Sequence, residues 1–420
     1  LEPWNSPLPS SDDPQETATA SDSGPSTSAR PGFDPPDKDD LAAIIYTSGT
    51  TGHSKGVMLS HGNIVSNAYA ASPCANMMPG ERMVSILPLS HTYECTLGFL
   101  IPFMFGASVS YFDRPASPSS LVKALSDVKP HLMLSVPIFI EKIVRSRIFP
   151  QLSKNRVLKV ASSIPGLRRV LHRLAGKKLA ATFGGNLRFF GIGGAPLAQD
   201  VERFLRNAKF PYAIGYGLTE TSPLLAGTSP QETRFRSTGP AVDGVELRLR
   251  DGEIQARGPN VMQGYYRDPE QTREMFTEDG WFRTGDLGSL DKDGYLYIKG
   301  RSKNVIIGAN GENIYPEAIE SLINQIRFVA DSLVIQKGSE IIARVQVNYE
   351  DFQAEFKAMR ANMNGKIGDA RDAVSQFLED LRRNVNQQLS AHARISRIIE
   401  QEEPFEKTPT LKIKRYLYER

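Results

Sequence analysis

Cysteine is nearly missing from this chain. Its 420 residues include only Cys74 and Cys95, whose spacing matches neither a metal site nor a redox motif. That excludes a disulfide-built scaffold and favours a reducing compartment, with a single bridge between the two still open. Long hydrophobic runs are missing as well. The longest, residues 97–109, is broken by Pro102 and Gly106 and falls short of the ~18–20 apolar residues that span a bilayer. It reads instead as a buried helix turning into a strand. Neither sign of charge is in excess. The chain has 50 Lys+Arg and 47 Asp+Glu, a net charge of +3, so nothing in the balance points to a nucleic-acid partner. No secretory leader pattern is visible, and the location expected is cytoplasmic. Aliphatic residues are almost absent from 1–38, which is rich in Pro, Ser, Asp, Thr and Ala; such a segment is expected to be disordered. Residue 1 is Leu rather than Met, which fits a fragment of a longer reading frame or a processed form.

What remains is ordinary for a globular protein: 40% hydrophobic and 23% charged residues, in a chain long enough for two or more cores. From Asp39 onward, strand-like runs at 82–87, 108–112, 131–136 and 187–191 alternate with helix-length segments, which predicts an α/β core. Residues 245–250 alternate with period two, Asp251-Gly252 supplies a hairpin turn, and 253–257 returns. Asp293-Gly294 then leads into 295–299, giving a small antiparallel β region. After Arg301 the pattern starts again, with strands at 332–336 and 341–347 and a helix at 316–326. A later helix carries Val374, Phe377, Leu378, Leu381, Val385 and Leu389 on one stripe. The expected organisation is a leader over 1–38, a large domain over 39–301 and a small C-terminal domain over 302–420.

One decapeptide, Tyr46-Thr47-Ser48-Gly49-Thr50-Thr51-Gly52-His53-Ser54-Lys55, follows a run at 41–46 that reads as a buried strand. Glycines let backbone N–H groups approach phosphate oxygens, hydroxyls donate to them, and Lys55 adds a mobile positive charge. The P-loop pattern does not fit, because Lys55 lies three residues after Gly52 and precedes Gly56 rather than Ser or Thr. Other segments extend this chemistry. The Gly193-Gly194-Ala195-Pro196 turn after a strand can be purely structural or lie flat against a planar base. In Gly215-Tyr216-Gly217-Leu218-Thr219-Glu220-Thr221, Tyr216 offers a ring for stacking. Thr219 can donate to a phosphate, and Glu220 can ligate Mg²⁺. Asp286, in Thr284-Gly285-Asp286, can accept both hydroxyls of a ribose.

In order and in residues these segments resemble the adenylate-forming enzymes, the family of acyl-CoA synthetases, luciferases and peptide-synthetase adenylation domains. The resemblance spans 39–415 and is strongest toward bacterial-type long-chain fatty acyl-CoA synthetases. It rests on residues 87–94 (LPLSHTYE), Lys129-Pro130 with Val136-Pro137, residues 189–196 (FFGIGGAP) and residues 408–415. It implies a large domain of αβ layers plus a small β region, then a small mobile α+β domain. It also implies ATP, Mg²⁺ and coenzyme A as co-substrates and a fatty acid as substrate. By the same resemblance, Thr47, Ser48, Gly49, Thr50, Thr51, Gly52 and Lys55 close on phosphates. Gly194, Ala195, Pro196, Tyr216 and Gly217 hold adenine, and Asp286 and Arg301 meet the ribose. Lys303 marks the hinge, Gly308 and Gly311 frame a loop at the thiol tunnel, and Lys412 is the mobile catalytic lysine, with Lys414 the competing assignment. His91 either borders the acyl carboxylate or is a core histidine. Serine stands at position 54 where the family usually has proline.

Family members carry a long ordered stretch before the first phosphate loop. Here the leader occupies that place, so the resemblance implies a large domain lacking its usual N-terminal part, with apolar surface and a sheet edge exposed. Residues 142–188, from Lys142 to Arg188, hold twelve Lys/Arg and no acid. Within them Leu167, Val170, Leu171 and Leu174 form a helix stripe flanked by Arg168, Arg169, Arg173 and Lys177. This is either a solvated face or one that lies on the anionic inner face of a membrane. Three readings follow: a long-chain acyl-CoA synthetase, a ligase that passes its acyl group to an acyl carrier protein, or a truncated, catalytically impaired nucleotide-binding chain.

Overall fold

The structure is a computed structural model and describes residues 34–48, 54–113, 118–152, 156–308, 311–350, 352–353, 370–408 and 413–418. The leader expected at 1–38 lies almost wholly outside these residues, as do the loop 49–53 and Lys412. The first described element is a hairpin. Strand β1 (Leu41–Ser48) runs antiparallel to β2 (Ser54–Ser60), with Thr47 opposite Lys55. Helix α1 (His61–Ala75) starts on a reciprocal cap: the Ser60 hydroxyl accepts from Asn63 N–H at 3.1 Å, and the Asn63 side chain accepts from Ser60 N–H at 2.9 Å.

A parallel sheet follows. Its strands are β3 (Arg82–Val84), β4 (Ser108–Ser110), β5 (Leu132–Ser135), β6 (Phe189–Ile192) and β7 (Tyr212–Ile214), in the order β4-β3-β5-β6-β7. Side-chain alternation explains why the sheet is covered on both faces. Val84, Met133, Phe190, Ile192, Tyr212 and Ile214 enter one core, while Met83, Leu132, Leu134, Phe189 and Ala213 enter another. Helices supply the layers. On the first face they are α2 (Pro118–Val128), α4 (Pro165–Thr182) and α5 (Gln199–Ala208), with α3 (Arg156–Ser163) packed on α4; on the second lie α1 and the helical residues 93–104. Pro165 sits at the first turn of α4, where its missing N–H costs no hydrogen bond.

Short strands β8 (Tyr216–Gly217) and β9 (Leu224–Ala226) follow the sheet. The antiparallel sheet is built from β10 (Glu246–Arg250), β11 (Glu253–Arg257), β13 (Phe282–Leu290) and β14 (Leu296–Arg301), while β12 (Gly264–Tyr265) joins β2 as the third strand of the first hairpin's sheet. Asp251 and Gly252 both have positive φ, 52° and 79°, as a two-residue hairpin turn demands. Beyond lie the ribbon β15 (Ile306–Ile307) and β16 (Asn313–Ile314), α6 (Pro316–Ile323), β17 (Val329–Lys337), β18 (Glu340–Val347), α7 (Ala370–Asn386) and β19 (Arg397–Glu400). They enclose a separate cluster that includes Ile319, Ile323, Val334, Val345, Leu381 and Val385.

Two burial expectations are corrected. Strand β1 forms but is not buried: Leu41 is 47% and Tyr46 64% exposed, because β1 is the edge of its three-stranded sheet. Residues 97–109 do hold helix and strand, yet Phe103 is 78% exposed. This segment turns Ile101 and Pro102 inward and Phe99 and Phe103 outward, so only one face is buried. Cys74 and Cys95 are free thiols, which closes the possibility of a bridge.

Candidate active site

The carboxyl ends of β6 and β7 lie side by side, held by Gly215 N–H donating to Ile192 C=O at 2.9 Å. In open α/β sheets ligands bind at this edge. Glycine follows both strands, at 193 and 215. A Cβ on Gly193 would sit 3.2 Å from the Tyr93 ring, and Gly194 takes φ +86° before Ala195 and Pro196. Gly217 is constrained even more tightly: a Cβ there would lie 1.8 Å from the Pro223 carbonyl oxygen. The turn Thr219–Thr221 is 3₁₀-helical and is anchored by Met262 N–H donating to Glu220 C=O at 2.9 Å.

Three residues far apart in sequence make one polar chain. The Tyr216 hydroxyl donates to Asp286 Oδ2 at 2.7 Å, and Arg301 Nε meets Asp286 Oδ1 at 2.8 Å. Asp286 and Arg301 are register partners on β13 and β14, so the sheet itself sets their contact. Asp286 is buried and Arg301 reaches solvent. Burial, together with the Asp286 carboxylate, pushes the Tyr216 phenol well above its usual range, so it stays a donor.

A second cluster forms beside the phosphate hairpin. Lys55 Nζ lies 4.9 Å from the centroid of the Tyr265 ring, and the Tyr265 hydroxyl donates to Glu220 Oε1 at 2.9 Å. Burial lowers the Lys55 ammonium, the Lys303 charge lowers it further, and Glu220 opposes both. Lys55 therefore lies near enough to Lys303 and to Glu220 to feel the charge of each. Lys303 stands exposed on the 3₁₀ turn Ser302–Asn304. Gly308 and Gly311 close the β15–β16 ribbon, with Gly311 N–H donating to Gly308 C=O at 2.9 Å.

An apolar cavity of about 50 Å³ meets the same strand ends. Tyr93, Leu97, Leu134, Phe189, Gly191 and Gly215 are among its walls. His91 lies half-buried two residues before Tyr93. Tyr93 and Tyr265 were not singled out from sequence. Tyr93 lay inside the LPLSHTYE segment, and Tyr265 followed a glycine without any motif of its own. Thr47 faces Lys55 on the hairpin and Thr219 starts the 3₁₀ turn, whereas Gly49, Thr50, Thr51, Gly52 and Lys412 fall outside the described residues.

The AMP-binding enzyme family profile matches residues 4–266. The chain is 32% identical over 409 residues to the long-chain-fatty-acid–CoA ligase FadD15 of Mycobacterium bovis, covering 90% of this chain and 67% of that protein. It is 31% identical over 423 residues to the peroxisomal long chain acyl-CoA synthetase 7 of Arabidopsis thaliana, covering 91% of this chain and 60% of that one. Among solved structures, ATP-bound MatB from Rhodopseudomonas palustris superposes with a TM-score of 0.68 at 27% identity, covering 91% of this chain and 68% of that chain. The chain belongs to the AMP-binding family of adenylate-forming enzymes and is fatty acyl-CoA synthetase-like within it. It spans about two thirds or less of the length of these curated relatives.

Proposed function

We propose that this chain is an ATP-dependent fatty acid–CoA ligase, an acid–thiol ligase that works through an acyl-adenylate. A carboxylate oxygen of the fatty acid attacks the α-phosphorus of ATP. The bond to the β-phosphate breaks, and pyrophosphate leaves with the electron pair. The thiol sulfur of coenzyme A then attacks the acyl carbon, AMP leaves with its carboxyl-derived oxygen, and the thiol proton passes to solvent. The substrate supplies its own nucleophile, so the protein's part is positioning and charge stabilisation.

The observation that carries this reading is the meeting of two unlike environments at one sheet edge. The apolar cavity reaches Gly191 and Gly215, and the Tyr216–Asp286–Arg301 chain begins at the next residue. An acyl group would enter the first and a ribose would meet the second. The cavity is well below the ~300 Å³ at which ligand pockets begin, so a long acyl chain requires its walls to move. Lys55 and Thr219 face the phosphates in this reading, and Gly194, Ala195, Pro196, Tyr216 and Gly217 border adenine. Among the described residues no cluster of three or more acidic, His or Cys side chains could form a metal cage. In this reading Glu220 is the one protein carboxylate on a Mg²⁺ held mostly by substrate phosphates. Bound Mg²⁺ would neutralise charge on those phosphates.

Two further assignments belong to this proposal. Residues 302–420 act as a small domain that turns about Lys303, bringing Lys412 to the first half-reaction and the Gly308–Gly311 segment to the second, with 39–301 as the large domain. The helices α3 and α4 rest on an anionic membrane. Val157, Val160, Ile164, Leu167, Val170 and Leu174 are all exposed there, with Arg168, Arg169, Arg173 and Lys177 beside them. Among the described residues no helix is long and apolar enough to cross a membrane. Thioester formation assayed with free coenzyme A and with acyl carrier protein identifies the acceptor. Product with coenzyme A supports the ligase proposed, and product with carrier protein alone overturns that acceptor.

A further inference from the structure

Tyr265 joins two groups that come from distant parts of the chain. It lies on β12, paired with Val57 of β2, two residues beyond Lys55. Its side chain is buried among Val57, Leu59, Met262 and Phe282, so its position is set by packing. One face of its ring carries the Lys55 ammonium at 4.9 Å, and its hydroxyl donates to Glu220 Oε1 at 2.9 Å. Among the described residues this is the one hydrogen bond made to the Glu220 carboxylate. The Glu220 backbone is tied to the same stretch, by Met262 N–H. A single rigid ring thus fixes an acid and a base at once.

We propose that Tyr265 is a positioning residue for the adenylation step: it aims the Glu220 carboxylate at the metal–phosphate position and holds Lys55 beside it. The inference rests on the reading of Glu220 as the Mg²⁺ ligand. A hydrogen bond that leaves one carboxylate oxygen engaged presents the other in a fixed direction, which is how groups behind a ligand tune metal affinity. The phenol suits this role because its ring is held by packing while its hydroxyl reaches one Glu220 oxygen at 2.9 Å. Removing the hydroxyl alone keeps the ring, its packing and its contact with Lys55.

The test is equilibrium binding to the full chain, followed by calorimetry, of ATP with Mg²⁺ and of ATP with a chelator, for the parent, Tyr265→Phe, Glu220→Gln and the double variant. Loss of a group behind a metal ligand costs about 10–100-fold in metal affinity. Tyr265→Phe is expected to weaken Mg²⁺-dependent ATP binding by about 10-fold, leave metal-free ATP binding unchanged, and add nothing to Glu220→Gln. Equal weakening of both binding modes, or an undiminished effect in the Glu220→Gln background, marks a purely structural role and overturns the inference. No change in Tyr265→Phe while Glu220→Gln loses metal dependence also overturns it. If Glu220→Gln itself keeps full metal dependence, the reading of Glu220 fails instead, and that outcome is distinguishable from the others. Tyr265→Leu adds a second check, since it should also weaken metal-free ATP binding by removing the seat of Lys55.

Discussion

Asp286 accepts from Tyr216 on one oxygen and meets Arg301 with the other, so removing its carboxylate leaves a buried hydroxyl without an acceptor. Asp286→Ala is expected to lower stability by about 1–3 kcal/mol and to weaken ATP binding, both measurable by denaturant unfolding with and without nucleotide. Glu94 gives a second prediction. It is fully buried, among the described residues neither carboxylate oxygen makes a well-formed hydrogen bond, and its end lies against Gly98. Burial pushes its carboxyl up to about 7, opposed only by the nearby Ser85 hydroxyl. The folded chain thus keeps a proton that the unfolded chain gives up near pH 4.5. Stability from this group is full below that pH and is lost as pH rises through 7. Glu94→Gln should match the parent near pH 4 and exceed it by up to about 3 kcal/mol near pH 8; equal stability at both pH values would refute the assignment. At this scale the sequence made the polar residues legible but not their partners. Tyr216 and Asp286 could each be picked out, yet their hydrogen bond spans 70 positions and depends on sheet register.

At the scale of elements, the strands after the first hairpin were readable because alternation and turn residues agreed. The Asp251-Gly252 turn fell where positive φ was needed at two successive residues. Burial was harder to read. The run at 41–46 is as apolar as a central strand, and only its place at a sheet edge, a tertiary fact, leaves Tyr46 outside. The C-terminal elements are pinned by Arg415, which grips Glu320 of α6 at 2.6 Å and 2.9 Å while the same carboxylate accepts from Val334 N–H on β17. Arg415→Ala should cost about 1–3 kcal/mol in unfolding, because it leaves a mostly buried acid without its cation. The helices α3 and α4 offer another test. Sedimentation with anionic vesicles should carry the chain down at low salt, and Leu167→Glu with Val170→Glu should release it. Equal binding to neutral vesicles would argue against the basic flank.

For the molecule as a whole, the order of motifs along the chain was more informative than any one of them. A doubly covered parallel sheet places the ends of β6 and β7 together, and a separate antiparallel sheet brings Asp286 and Arg301 to Tyr216. None of this follows from a single motif, but all of it follows from their sequence on a common fold. A two-part catalytic cycle makes a whole-chain prediction. Lys303→Pro, which removes backbone freedom at the proposed hinge, should slow thioester formation about 10-fold or more while sparing pyrophosphate release. The rates of the two half-reactions measured separately would show this.

The chemistry proposed for these residues is adenylation of a fatty acid. It is tested most directly by measuring fatty-acid-dependent release of pyrophosphate from ATP and Mg²⁺, with and without coenzyme A, in the parent chain and in Lys412→Ala. Release is expected to require the acid, to rise with coenzyme A, and to fall about 10²–10³-fold in the variant. Folded protein that binds ATP but releases no pyrophosphate with any fatty acid would contradict it.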